Sequence, residues 1–209
     1  VVASQDVAGW TSSPSLVDVS SGGAETVNFT ASGVQANTFT VDTGTLAGPV
    51  GTDLGAGYDI VIDLDQDGQL SPGDVIDGYG DNPGVTIVRD TTQPGPFAVS
   101  EAKYALGTWQ LQDVYYPTNV ASLGQLPLVV ISHGNGHNYL WYSYLGKHLA
   151  SHGYVVMSHS NNTGPGIETA SQTTLENTDV FLGNLANLPL IGNALEGHID
   201  VSSITWLGH

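Results

Sequence analysis

The 209-residue sequence predicts an α/β fold, a parallel sheet with helices on both of its faces, preceded by a small all-β module. Two patterns carry this expectation. Up to about residue 93, short runs alternate apolar or β-branched residues with small polar ones, and Gly, Pro and Asp clusters separate them. Beyond that point, continuous apolar runs alternate with stretches of helical spacing, the order expected of strands joined by crossover helices. The change falls at Gln93-Pro94-Gly95-Pro96, which divides the chain into a β-rich module, 1–93, and the first part of an α/β domain, 94–209.

In the module, Glu25–Ser32, Asn37–Gly44, Tyr58–Leu64 and Val85–Val88 read as short antiparallel strands, and no stretch of helical length precedes residue 138. In the second part, Trp109–Tyr116 reads as a strand that Pro117 ends. Leu126-Pro127-Leu128-Val129-Val130-Ile131 is apolar on both alternating faces, as a strand covered on both sides must be. From Tyr139 to His152, Trp141, Leu145 and Leu149 recur four apart with Tyr142 beside them, which predicts an amphipathic helix stopped by Gly153. Tyr154–Met157 is the next strand. Leu175, Thr178, Leu182 and Leu185 keep helical spacing between Glu168 and Leu185, and Ile204–Leu207 is the last strand.

Composition narrows the classes of function. Lys and Arg number three against twenty Asp and Glu, a net charge of −17, and the basic residues are Arg89, Lys103 and Lys147. So few cations exclude binding to a row of phosphates, hence to nucleic acid, and docking on an anionic membrane. The longest apolar stretch, 126–131, is far short of the roughly 20 residues of a membrane span. There is no cysteine, which excludes disulfides, thiol redox chemistry and thiolate metal sites. An acidic, lysine-poor chain whose first residues, Val1–Asp6, resemble a mature end fits a secreted, extracellular protein. No organic cofactor is expected.

Nine of the fifteen aspartates fall between Asp53 and Asp90. Within that segment, Asp63-Leu64-Asp65-Gln66-Asp67-Gly68-Gln69-Leu70-Ser71-Pro72-Gly73-Asp74 has the spacing of an EF-hand-like calcium loop. Alternate side chains of a tight loop converge on one point, and a hard cation needs six to eight oxygens there. The expected ligands of a structural Ca2+ are Asp63, Asp65, Asp67, the Gln69 carbonyl and Asp74, with Asp at the last position as in dockerin loops. Pro72 argues against a helix leaving the loop. Asp53, Asp59, Asp77 and Asp81 form no pattern, yet could support a second ion.

The apolar run 126–131 ends in Ser132-His133-Gly134-Asn135-Gly136, a His-Gly-x-Gly turn. In acyl-transfer enzymes such a turn presents a main-chain N–H to a developing oxyanion. Together with Tyr115-Tyr116-Pro117-Thr118, Leu145–Val156 and the closing Ile204–His209, it resembles the α/β-hydrolase superfamily over roughly residues 94–209. The likeness is to the cutinase/polyester-hydrolase, dienelactone-hydrolase and platelet-activating-factor-acetylhydrolase-like branches. The resemblance implies a serine hydrolase acting on carboxylic esters, an esterase, lipase or cutinase-like enzyme, whose substrate is a small molecule, a lipid or a polymer. It implies the N–H of Asn135 as an oxyanion donor within the loop formed by Gly134 and Gly136, and His133 as a brace of that loop. It makes His209 the residue before the nucleophile of a Ser-x-Gly elbow, so the triad is expected in the remainder of the same protein, beyond residue 209. Cutinases usually carry an aromatic residue where Asn135 stands.

His133 and His137 lie on a glycine turn rather than a helix, which disfavours a shared zinc. His148, His152, His159 and His198 are assigned surface or satisfied polar roles, and Trp141 and Tyr142 a place in the helix core. Asn28-Phe29-Thr30 and Asn161-Asn162-Thr163 fit the pattern of glycosylation acceptors. The alternative to the enzyme is a non-catalytic, calcium-stabilised surface or adhesion protein on a hydrolase scaffold.

Overall fold

In the computed structural model, which describes residues 1–28, 38–80, 82–164 and 166–208, the chain divides into two units, Val1–Asp90 and Thr91–His209. The first unit contains strand β1 (Val2–Ala3), helix α1 (Val7–Ser12) and strands β2 (Gly55–Asp59), β3 (Val61–Ile62), β4 (Val75–Ile76) and β5 (Val85–Val88). β1, β2 and β5 form one antiparallel sheet, with Tyr58 opposite Val85 and Val2 opposite Asp59; β3 and β4 form a separate antiparallel pair.

The unit is therefore not all-β. Asp6 caps α1 by accepting the Gly9 N–H at 2.6 Å, and the helix buries Trp10. Six residues are too few to show a 3.6-residue period, so this helix leaves no periodic signal. The strands expected at 25–32 and 37–44 are also missing where the structure describes them. Residues 25–28 and 38–44 belong to no strand and are mostly exposed, so their alternation faces no core; 29–37 lie outside the described residues. The run 58–64 breaks at Ile60 between β2 and β3.

The second unit contains β6 (Val99–Ala105), β7 (Leu111–Pro117), β8 (Leu126–Ser132), α2 (Ser143–Ser151), β9 (Val155–His159), α3 (Ile167–Gly183) and β10 (Ile199–Gly208). They build a five-stranded sheet in the order β10-β8-β9-β7-β6. β8 runs parallel to both β9 and β10, but β7 is antiparallel to β9 and β6 antiparallel to β7. The sheet is mixed rather than parallel, because β6 and β7 are joined by a short hairpin and need no crossover.

Alternation in the buried strands sorts the core onto two faces. Val114, Leu128, Val130, Val155 and Met157 pack with Phe181 of α3, while Tyr115, Val129, Ile131 and Val156 pack with Ala150 and the partly buried Leu145 and Leu149 of α2. Helices thus cover both faces, as expected. α3 buries Thr173, Asn177, Thr178 and Phe181, whereas Leu175 is exposed. Trp141 lies in a 3-10 turn before α2 and is 61 % exposed, so it is not part of the helix core; Tyr142 is half-buried against the α2 cluster. Among the described residues, no helix is long and apolar enough to cross a membrane.

Candidate functional site

The parallel register sets Ser132 at the end of β8 beside His159 at the end of β9 and Gly208 at the end of β10. Ligands of open α/β sheets bind outside these carboxyl ends. A cleft of about 580 Å³ lies there, lined by Ser132–Asn135, Asn161, Thr163, the first half of α3 and Trp206–Gly208. Its outer wall is apolar and exposed: Ile167, Leu175, Trp206 and Leu207.

His133 is buried, and both ring nitrogens are committed. Nε2 accepts the Asn161 main-chain N–H at 2.9 Å, so in the neutral ring Nδ1 carries the hydrogen and donates to the Gly134 carbonyl at 2.9 Å. The His137 main-chain N–H reaches the same carbonyl at 3.1 Å. That carbonyl belongs to the peptide whose other end is the N–H of Asn135. Because a trans peptide points its C=O and N–H in opposite directions, fixing one fixes the other. The Asn135 N–H has no hydrogen-bond partner among the described residues, and Asn135 lines the cleft. Gly136 follows in a left-handed turn at φ 76°.

The side chain of Asn161 locks the same turn. Its amide donates to the His133 carbonyl at 3.1 Å and to Ser132 Oγ at 2.8 Å. The Thr174 hydroxyl donates to the Ala170 carbonyl at 3.0 Å, which leaves Ser132 Oγ, 2.9 Å away, as donor to Thr174 Oγ1. Asn161 is 5 % exposed with these donors engaged, so it is no glycosylation acceptor; of the other such pattern, Phe29 and Thr30 lie outside the described residues.

The remaining histidines differ. His148, His152 and His198 each hold a main-chain carbonyl, of Thr91, Gln93 and Gly124. His137 meets the Tyr142 hydroxyl at 3.0 Å and tilts against Trp141. His159 is fully buried rather than at the surface; burial pushes its pKa down to about 4, and its Nε2 has no partner among the described residues. His209 lies outside the described residues.

In the first unit, the loop of the β3–β4 hairpin brings one carboxylate oxygen each of Asp63, Asp65 and Asp67 within 4.8 Å of one another. Asp63 receives the Gln66 and Gly68 N–H groups, Asp65 that of Asp67, and Asp67 that of Gln69, while Gly68 supplies a turn at φ 76°. Desolvation, then the neighbouring Asp67, Asp63 and Asp74, raises the pKa of Asp65. Asp74 is not in this group. Its carboxylate receives the Leu64 N–H at 2.8 Å and the N–H and hydroxyl of Ser71, which hold its pKa low. No helix flanks the loop; strands do.

Asn161, Thr174 and Trp206 escaped sequence reasoning. The signal for Asn161 was its place directly after a buried parallel strand, where the loops of such sheets gather.

Residues 99–177 match the family model described as platelet-activating factor acetylhydrolase, isoform II, which belongs to the α/β-hydrolase superfamily. The matched stretch runs from the start of β6 into α3 and includes the His133–Gly136 turn. The α/β-hydrolase resemblance read from the sequence is thereby borne out, in its platelet-activating-factor-acetylhydrolase-like branch. No curated protein matches the chain.

Proposed function

We propose that the protein is a secreted serine hydrolase of carboxylic esters whose oxyanion hole includes the Asn135 N–H. The observation that carries the reading is the Gly134–Asn135 peptide. Its carbonyl is tied down by His133 and His137, and its N–H, which lines an apolar cleft, has no partner among the described residues. The family match over 99–177 supports the ester class.

In this reading the nucleophilic serine follows His209. β10 supports that position, because its last residue, Gly208, stands opposite Ser132, which the His133–Gly136 turn follows. The serine oxygen attacks the ester carbonyl while a histidine takes its proton. The carbonyl oxygen becomes an oxyanion held by the Asn135 N–H and the N–H after the serine. The intermediate collapses, the alkoxide leaves with the proton from the histidine, and water repeats the sequence on the acyl-enzyme. A single such donor contributes about 3 kcal/mol to the transition state. The apolar wall of Ile167, Leu175, Trp206 and Leu207 suits an aliphatic acyl or alkyl group.

The reading includes a structural Ca2+ held by Asp63, Asp65, Asp67 and the Gln69 carbonyl. Asp74, to become a further ligand, would exchange its Leu64 and Ser71 bonds for the ion. Acidic composition and loops suited to the millimolar calcium of extracellular fluids support export.

The test is fluorophosphonate labelling of the full-length protein, with p-nitrophenyl ester hydrolysis in parallel. Label on the residue after His209 is the expected result. An intact, folded protein that takes no label and cleaves no ester overturns the enzyme and leaves the non-catalytic scaffold.

A further inference from the structure

Four polar side chains in the cleft wall spend their hydrogens inside the protein. Ser132 Oγ donates to Thr174 Oγ1, and the Thr174 hydroxyl to the Ala170 carbonyl. Both ring nitrogens of His133 are engaged. Of the two carboxamides in the wall, Asn161 commits its amide nitrogen to Ser132 Oγ and the His133 carbonyl. None of these groups keeps a donor for a ligand.

The other carboxamide, Asn135, is arranged differently. Its side chain is exposed and lines the cleft, and its Oδ1 accepts the hydroxyl of Thr163, also in the wall, at 3.2 Å. A carboxamide is planar, so engaging its oxygen fixes the plane in which the Nδ2 hydrogens lie. Nδ2 has no hydrogen-bond partner among the described residues. The same residue supplies the main-chain N–H beside the His133-clamped carbonyl. An acceptor bound by the side chain therefore lies close to the oxygen bound by the main chain. A plain alkyl chain covering that amide strands a donor, which costs binding, whereas an ether or ester oxygen satisfies it.

We propose that the Asn135 side chain selects esters whose acyl group carries an acceptor oxygen, an ether or a second ester, on the carbon next to the scissile carbonyl. Thr163 is the positioning residue, holding the carboxamide by its oxygen so that the N–H groups stay available. The inference rests on the ester-hydrolase reading and narrows its substrate class to oxygenated acyl groups. The apolar wall of Ile167, Leu175, Trp206 and Leu207 takes the part of the chain beyond that oxygen.

The test compares p-nitrophenyl methoxyacetate with p-nitrophenyl butanoate, which differ by an oxygen in place of a methylene, on the full-length protein. The oxygen also activates the carbonyl chemically, so the quantity read is the ratio of the two kcat/KM values in each variant against the unaltered protein. Asn135→Leu keeps the main-chain N–H and removes the side-chain donor; the methoxyacetate-to-butanoate ratio should fall by about threefold to tenfold. Thr163→Val should lower the ratio in the same sense, and Thr163→Ser, which keeps the hydroxyl, should restore it. Circular dichroism follows folding, and the Thr163 pair carries the test if Asn135→Leu does not fold. An unchanged ratio in folded Asn135→Leu, including equal loss on both esters, overturns the selectivity and leaves the ester hydrolase standing. A ratio lowered by Asn135→Leu but not by Thr163→Val overturns the positioning role of Thr163. If the unaltered, folded protein cleaves neither ester and takes no fluorophosphonate label, the hydrolase reading falls and the selectivity with it.

Discussion

The His133 imidazole and the Asn161 main chain are joined at 2.9 Å, Nε2 accepting the N–H, and this single bond decides which ring nitrogen carries the hydrogen. It leaves Nδ1–H for the Gly134 carbonyl, and so orients the peptide that ends in the Asn135 N–H. The ring is a brace, with neither nitrogen left for a metal or a proton-transfer role.

Asn161→Ala removes two side-chain donors to the brace, those to Ser132 and the His133 carbonyl. The Gly134–Asn135 peptide should then lose its fixed orientation. In the proposed ester hydrolysis, kcat of the full-length protein is expected to fall about tenfold to a hundredfold with KM nearly unchanged, since the proposed donor acts on the transition state. Stability should fall by about 1–3 kcal/mol, the cost of stranded buried partners. A rise in KM with unaltered kcat would instead mean that Asn161 shapes the substrate pocket.

His159 predicts a pH dependence of stability. Its pKa is about 4 in the fold, lowered first by burial, against 6.5 for the free group. Above pH 6.5 the ring is neutral in both states and the fold bears no penalty. As pH falls from 6.5 towards 4, the unfolded chain gains a proton that the folded chain refuses, so stability is lost through that window. The loss approaches about 3 kcal/mol. Denaturant titrations at pH 7 and pH 4.5 measure it; in His159→Gln the two midpoints should draw together, and an unchanged gap would assign the loss to other groups.

Asp113 acts in the opposite sense. It is fully buried, and burial raises its pKa, despite a 2.6 Å hydrogen bond from the Tyr115 hydroxyl and a Lys103 ammonium at 3.6 Å. A raised carboxyl pKa means that the folded state holds the proton longer, so this group costs stability as pH rises through its folded value. Asp113→Asn keeps an acceptor for Tyr115 and should raise the melting temperature at pH 7, the gain shrinking below pH 4. A lower melting temperature at pH 7 would show that the Lys103 pairing outweighs burial.

Much of the second unit was legible because its strands are buried on both faces. The run Leu128–Ile131 could be nothing else, and the glycine turn after it announced the cleft. Strand direction was not legible: alternation in β7 reads the same whether β9 runs with it or against it. Nor was Asn161, whose contacts to Ser132 and His133 span 29 and 28 positions that only the β8–β9 register brings together. In the first unit, the aspartate spacing of 63–67 is local and could be read directly. The burial of Asp59, opposite Val2 of β1 and bonded to the Gly84 N–H, rests on contacts distant in sequence and could not.

Chelation should destabilise the protein through the Asp63–Asp67 loop. At calcium about a hundredfold above Kd, one bound ion stabilises by about 2.7 kcal/mol. Removing it with a chelator should lower the melting temperature of the first unit by roughly 10–20 °C. Asp65→Ala should abolish that sensitivity. Scanning calorimetry with and without chelator checks this, and identical traces for the unaltered protein would exclude a structural ion in the loop.

The apolar wall makes the last prediction, on acyl-chain length. Leu175 is 57 % exposed on α3 and Trp206 is 49 % exposed on β10, held by its Nε1–H to Thr178 Oγ1 at 3.3 Å. Exposed apolar surface on a cleft gains most from a ligand that covers it, at about 0.8 kcal/mol per methylene. In the proposed ester hydrolysis, kcat/KM of the full-length protein should therefore rise from acetyl to hexanoyl p-nitrophenyl esters. Leu175→Asp, at a surface the fold does not need, sets a charge against the chain and should lower the hexanoyl-to-acetyl ratio by about tenfold, with acetyl ester turnover little changed. If both esters lose activity equally, Leu175 supports the catalytic geometry rather than the acyl group, and the wall has another occupant.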